Sequence, residues 1–235
     1  MQAIILVGGL GTRLKTLYPD RPKALVPILG QPFIERQIAW LCAQGITSVH
    51  LAAGHKAVML ADWARDWKSS PVPLTVSVEP QPLGTAGGLK FVEPFVRGEV
   101  FLALNGDSLL PRLDIPAMLR AHRETCAVVS DAITRIEESG RYGTVEFDSQ
   151  NRLTAFLEKA ERTGGWVNGG VYAMNREVLD LIDPEQILSL ETDIFPALTA
   201  AGTLRVFQCA PPLLDMGTPD GIRAMEDFLA AAKFQ

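Results

Sequence analysis

MQAIILVGGLGTRL, residues 1–14, decides how the rest of the chain is read. The apolar run Ala3–Val7 has the length of a buried strand, and it stops at Gly8 and Gly9. Glycines directly after a strand let the backbone bend tightly and turn N–H groups toward an anion. Gly9 and Gly11 fit the first two positions of a dinucleotide fingerprint, but Leu14 stands where the third glycine belongs. A GK[ST] phosphate loop is also absent. Glycine spacing alone leaves two readings: a strand-to-helix turn, or a cradle for phosphate. Arg13 and Lys23 shift the balance. A structural turn needs no cations, whereas a triphosphate brings several negative charges that must be met. Pro22 stiffens the approach of Lys23, and Arg21 beside it reads as a solvated arginine.

Outward from this stretch, short apolar runs alternate with helical patterns. Strands are expected at Ala3–Val7, Ser48–Ala53, Leu74–Glu79, Val100–Asn105 and Ala127–Ile133. Between them, Ile34, Ile38, Leu41 and Cys42 form one helical face closed by Gly45. Met59, Trp63 and Trp67 also recur at helical spacing. Ile115, Met118, Leu119 and His122 follow the expected cap Asp114. This alternation predicts an α/β fold with a doubly wound, mostly parallel sheet. Ligands of such sheets sit outside the carboxyl ends of the strands. After about residue 135 the rhythm changes. Thr144–Phe147 and Leu153–Glu158 flank Asp148–Asn151 as a hairpin, and Val167–Met174 is a further strand. Thr218 and Pro219 start a last helix whose buried face is Ile222, Met225, Phe228 and Leu229. We expect one domain over 1–235, with a nucleotide-binding part at 1–135. A small β-rich sugar-binding part and a C-terminal helix are expected at 136–235.

Composition narrows the function. The chain has 235 residues, 47% of them hydrophobic, enough for a sizeable core. Its net charge of −5 disfavours a nucleic-acid partner. No apolar stretch approaches the roughly 20 residues of a membrane span. The start carries no basic leader, so a cytoplasmic protein is expected. Cys42, Cys126 and Cys209 are widely spaced and odd in number, as buried free thiols in a reducing compartment would be. His50, His55 and His122 read as core edge or surface, and Trp40, Trp63 and Trp67 as packing.

Four further stretches carry candidate chemistry. In VEPQPLGTAGGL, Glu79 ends a strand and Gly84-Thr85 opens a glycine-rich helix that a flat base can approach closely; the bland alternative is a loop. Glu79 accepts hydrogen bonds only, which suits the adjacent ring N–H and amino donors of guanine. FLALNGDSLL and LLDMGTP place Asp107 and Asp215 beside strand ends. Either carboxylate can simply cap a turn. Together they suit Mg²⁺, which takes one or two carboxylates plus phosphate oxygens. RYGTV, FLEKA and NGGVY contribute Tyr142, Gly143, Glu158, Lys159, Asn168 and Gly169, with a solvated strand end as the alternative for Glu158 and Lys159. Glu191 in SLETDIFPAL serves either a sugar or a helix start.

GGLGTRL followed by PKALVPILGQPFIERQI resembles the amino-terminal signature of the sugar-1-phosphate nucleotidyltransferases. The resemblance runs from Met1 to about Ile222. It implies the Rossmann-like nucleotidyltransferase fold, with Leu6, Gly8, Gly9, Gly11 and Thr12 around the nucleotide and Arg13 and Lys23 on its phosphates. Glu79, Gly84 and Thr85 correspond to the element that contacts the base, and Asp107 and Asp215 to the metal positions. Tyr142, Gly143, Glu158, Asn168 and Gly169 fall on the sugar side, and Lys159 on the sugar phosphate. Many relatives read EKP where this chain has Glu158-Lys159-Ala160, which touches only the local turn. GLGTRL, LNGDSL, RYGTV, NGGVY and DMGTP together are most similar to the D-glycero-D-manno-heptose 1-phosphate guanylyltransferases, which make GDP-heptose for bacterial surface polysaccharides (capsule and lipopolysaccharide).

The resemblance implies attack of a sugar-1-phosphate oxygen on the α-phosphorus of GTP, with pyrophosphate leaving. Arg13, Lys23 and Asp107 are the catalytic candidates. No catalytic His or Cys is needed, because a phosphate monoester with a second pKa near ~6 is already largely a dianion. Small-molecule substrates and Mg²⁺ are the expected partners, and a homo-oligomer stays open. Enzymes for mannose 1-phosphate or glucose 1-phosphate are the near alternatives. A glycosyltransferase would show Asp-x-Asp where Asn105-Gly106-Asp107 stands, and a silent sensor would have lost Arg13, Lys23 or a carboxylate.

Overall fold

The computed structural model describes residues 1–9, 11, 14, 17–138, 144–157, 163–184 and 186–232. The first half winds β1 (Gln2–Val7), the short pair β2 (Pro27–Ile28) and β3 (Gln31–Pro32), α1 (Phe33–Ala43), β4 (Ser48–Ala53) and α2 (Ala57–Asp66). It continues with β5 (Leu74–Val78), α3 (Gly84–Phe91), β6 (Val100–Asn105), β7 (Ser108–Leu109) and α4 (Ile115–Glu124). The second half holds β8 (Val129–Glu138), β9 (Thr144–Phe147), β10 (Leu153–Leu157), β11 (Thr163–Asn175), α5 (Phe195–Ala200), β12 (Leu204–Cys209), β13 (Leu214–Asp215) and α6 (Pro219–Ala232).

The main sheet runs β10-β9-β11-β6-β1-β4-β5, with β8 paired to β11 and β12 paired to β8. The β6-β1-β4-β5 stretch is parallel, as the alternation predicts. Beyond β6 the sheet turns largely antiparallel: β11 pairs β6, β8 and β9 in that sense. Connections leave β1 toward β4 on one side and β6 on the other, which makes the carboxyl end of β1 a switch point where ligands bind.

Local chemistry explains the elements. On α4, Ile115, Met118, Leu119 and His122 are the buried residues, and the Asp114 side chain accepts the Ala117 N–H at 2.8 Å. The last helix starts as expected, with Thr218 Oγ1 accepting from Gly221 N at 3.1 Å. The reading of α2 needs correcting: Ala57 and Leu60 face the core, while Met59 is 43% exposed. Trp67 lies just past the helix end, where its ring stacks on Trp63 at 5.0 Å. His50 is fully buried, between the hydroxyls of Thr75 at 2.7 Å and Ser77 at 2.9 Å.

Candidate active site

One cleft of about 320 Å³ opens at the carboxyl ends of the parallel strands. Leu6, Gly8 and Gly9 line it from the end of β1, Glu79 from the end of β5, and Asn105 and Asp107 from the end of β6. Gly84 and Thr85 at the start of α3 and Lys23 complete the predicted set, while Gly11 lies in an adjoining recess that shares Lys23. Thr12, Arg13, Tyr142, Gly143, Glu158 and Lys159 lie outside the described residues.

Lys23 opens the 3-10 turn Lys23–Leu25, and Pro22 ahead of it is extended at φ −67. The ammonium donates to Asp107 Oδ2 at 2.6 Å, with side-chain exposures of 16% and 40%. The first strand's neighbourhood and the loop after β6 therefore meet in one charge-assisted hydrogen bond.

Asp215 does not line the cleft, but strand pairing that spacing does not reveal brings its segment beside that of Asp107. β13 pairs antiparallel with β7, so Asp215 stands opposite Ser108, and Met216 N donates to the Asp107 carbonyl at 3.0 Å. Asp215 Oδ1 accepts from Gly217 N at 2.7 Å, which fixes its carboxylate.

Glu79 is 9% exposed, and its carboxylate is walled by glycines from three elements. A Cβ on Gly88 would come within 2.6 Å of Oε1, on Gly54 within 3.0 Å of Oε2, and on Gly8 within 3.1 Å of Oε1. Gly8 thus makes room for an acid as well as turning the chain. Gly54 and Gly88 are site residues that sequence reasoning missed, since nothing in one dimension brings them to Glu79. Burial raises the Glu79 carboxyl above its ordinary range, partly offset by the Leu83 backbone N–H.

The start of α3 is pinned from the far half of the chain. Ala86 N donates to the Leu188 carbonyl at 2.9 Å, and a Cβ at Gly84, φ +77, would meet that carbonyl oxygen at 2.3 Å. Thr85 Oγ1 donates to Glu191 Oε2 at 3.2 Å and accepts from Leu190 N at 2.8 Å. Glu191 Oε1 in turn accepts from the Tyr172 hydroxyl at 3.0 Å, and Tyr172 takes a hydrogen bond from Asn168 Nδ2 at 2.7 Å. Asn168 Oδ1 is held by Gly170 N at 2.6 Å. Asn168 and Gly169 do not line the cleft; Ser108 Oγ, next to Asp107, donates to the Gly169 carbonyl at 3.4 Å. Asp131, the register partner of Tyr172, is fully buried, and neither of its carboxyl oxygens meets a donor among the described residues. Burial first, and the charge of Glu191 second, push its carboxyl well above the ordinary carboxylate range.

Fold and cleft define an α/β protein whose pocket, at the carboxyl ends of the parallel strands, brings together a lysine, a glycine turn and two acids. The chain belongs to the nucleotidyl transferase family, whose match covers residues 2–232. A mannose-1-phosphate guanylyltransferase of Mycobacterium tuberculosis is 33% identical over 97% of this chain and 65% of its own length. The chain spans less than two thirds of that relative. The D-glycero-alpha-D-manno-heptose 1-phosphate guanylyltransferase of Campylobacter jejuni is 35% identical over 81% of this chain and 83% of its own length. The crystal structure of HddC from Yersinia pseudotuberculosis complexed with GMP-PN matches with a TM-score of 0.85 at 28% identity, over 97% of this chain and 99% of that one. Among the described residues no helix is long and apolar enough to cross a membrane.

Proposed function

We propose that the chain is a cytoplasmic guanylyltransferase that joins GTP to D-glycero-D-manno-heptose 1-phosphate, giving GDP-heptose and pyrophosphate. The observation that carries this reading is the Lys23–Asp107 pair at 2.6 Å, set in the cleft between the glycine turn and Glu79. Lys23 lies where negative charge builds on the α-phosphate, and Glu79 offers acceptors for the paired N–H donors of guanine. Relatives named for GTP chemistry support the same base. Arg13, Thr12 and Gly11 are assigned to the phosphates, and Tyr142, Gly143, Glu158, Asn168 and Gly169 to the sugar, with Lys159 on its phosphate. Of the three cysteines expected to be buried thiols, only Cys209 is buried; Cys42 is half-buried and Cys126 exposed.

Asp107 and Asp215 fit Mg²⁺. They are two hard oxygen donors on adjoining segments, Asp215 standing opposite Ser108, the neighbour of Asp107, and no group of three His, Cys, Asp or Glu forms a site among the described residues. Such a pair leaves positions for water and phosphate oxygens. When bound, the ion offsets phosphate charge. The chain's own groups orient the α-phosphorus and exclude competing nucleophiles. The reacting sugar phosphate is already ionised, so no proton need be taken from it.

Mannose 1-phosphate is the second reading, favoured by the relatives that carry that substrate in their names. A matrix of four nucleotides against heptose, mannose and glucose 1-phosphates, read by pyrophosphate release, decides between them. We expect GTP with the heptose to give the highest kcat/KM. Preference for another triphosphate would remove the guanylyl assignment, and preference for mannose would replace the sugar.

Glu79→Gln tests base recognition separately. The amide replaces one acceptor by a donor, so GTP should lose about 10–100-fold in kcat/KM relative to the other triphosphates. An unchanged GTP preference would take Glu79 out of base selection.

A further inference from the structure

A cavity of about 290 Å³, close in size to the 320 Å³ cleft, opens between α4 and β12 and shares no lining residue with the cleft. Strand pairing puts it at the margin of the sheet. Among the strands β12 pairs with β8 alone. Its outer side meets the hairpin between β9 and β10 through Val206 N, which donates to the Asn151 carbonyl at 2.8 Å. Met118 of α4 is fully buried, and Phe207 of β12 packs against the same core, so part of the wall is apolar. The polar lining is Thr125, Ser130, Asn151, Arg205 and Gln208, with no acid among it.

Arg205 is the unusual member. Among the described residues it forms no ion pair, and its one hydrogen bond runs from Nη1 to the Gln150 carbonyl at 3.2 Å. Its Nε is shut off from solvent and meets no acceptor there. An unpaired buried donor is unfavourable, and a negatively charged acceptor is the partner a guanidinium bonds most strongly. The hairpin's own acid does not serve. Asp148 Oδ2 accepts from Arg152 Nε at 2.8 Å, and Oδ1 accepts from the backbone N–H groups of Gln150 at 2.8 Å and Arg152 at 2.9 Å. The chain holds 27 Asp and Glu against 22 Lys and Arg, yet sets none of those acids on this arginine. Beside it, Gln208 Nε2 donates to Asn151 Oδ1 at 3.2 Å. That bond orients the Asn151 amide and leaves its N–H groups for a further acceptor.

We propose that this cavity is a second ligand site, taking a small organic anion whose phosphate or carboxylate lies on Arg205 and Asn151 and whose flat or apolar body lies along Phe207 and Met118. The guanidinium fork matches the paired oxygens of either anion, and a neighbouring amide donor adds to their orientation. The apolar wall supplies the second half of the recognition, because a body laid on it leaves water. An inorganic ion gains nothing from that wall, so the site selects an organic molecule. No residue of the cleft takes part, so the occupant is an additional ligand and not a substrate in its reacting position.

The methyl signal of Met118, which lines the cavity, tests this beside that of Met216, whose N–H bonds the Asp107 carbonyl next to the cleft. The whole chain, labelled at its methionine methyl carbons, is titrated by NMR with GMP, 4-hydroxybenzoate and inorganic phosphate in turn. These are a phosphate with a flat body, a carboxylate with a flat body, and an anion with no body. We expect GMP or 4-hydroxybenzoate to move the Met118 signal saturably, with a dissociation constant below about 1 mM. Whichever binds identifies the anion that Arg205 takes. Arg205→Gln removes the charge, and Ala121→Phe keeps the charge but fills the space from α4. Each should weaken binding about tenfold or more. Ala121→Phe decides alone should Arg205→Gln lose its ligand-free methyl pattern. Equal affinity in a folded variant overturns the site. So does a Met118 signal that none of the three anions moves, or one that moves only in step with Met216. Binding of inorganic phosphate as tight as that of the two larger anions overturns it too.

Discussion

Lys23→Ala should cut kcat by about 10²–10³ while the protein melts within a few degrees of the unaltered chain. The rate scale is that of losing one preorganised electrostatic group. The expected indifference of the fold follows from exposure. Lys23 is 16% exposed, but its partner Asp107 is 40% exposed, so removing the lysine leaves a carboxylate that water can still solvate. Ion pairs of that kind contribute about 0–1 kcal/mol to stability, against the 2.7–4 kcal/mol that the rate loss represents. The 3-10 turn carrying Lys23 is also independent of its side chain, since Val26 N bonds to the Lys23 carbonyl at 3.0 Å. Steady-state kinetics with GTP and the preferred sugar phosphate, beside a thermal melt, separate the two effects. A folded variant with normal turnover would remove Lys23 from the chemistry.

The residues that were legible in advance share one property: their signal is local. β4 and β6 are short, mostly apolar runs, and the structure begins and ends them at the expected residues, Ser48–Ala53 and Val100–Asn105. α4 announced its cap and its whole buried face. β11 is longer than expected because Gly164, Gly165, Gly169 and Gly170 dilute its apolar pattern while cross-strand pairing still holds it extended. The cleft divides the same way. Glycine turn, lysine and Asp107 were readable as motifs, and they line one space. The slot around Glu79 was not, because Gly8, Gly54 and Gly88 are far apart in sequence and meet only when β1, β4 and α3 pack. Nor was the tie from Thr85 to Glu191, 106 residues away, which links the base side of the cleft to Tyr172 and Asn168.

Asp107→Asn should abolish Mg²⁺-dependent activity, a loss of at least about 10³ in kcat, because one substitution removes two functions. The first is the carboxylate partner of Lys23 at 2.6 Å; an amide oxygen there still accepts a hydrogen bond but no longer fixes the ammonium by charge. The second is one of the two acids proposed for the metal. Shape is conserved, and the backbone bond from Met216 N to the Asp107 carbonyl at 3.0 Å does not depend on the side chain, so β7 and β13 should stay paired. Asp215→Asn removes only the metal role, since its Oδ1 also serves Gly217 N and an amide oxygen can accept that bond. Asp215→Asn should therefore be partly rescued by raising Mg²⁺ from the millimolar range upward, whereas Asp107→Asn should not. The double variant should be no slower than Asp107→Asn alone, because groups that act as a unit lose their effect together. Full activity in Asp107→Asn would place the metal elsewhere, and additive losses in the double variant would mean that the two acids serve separate steps.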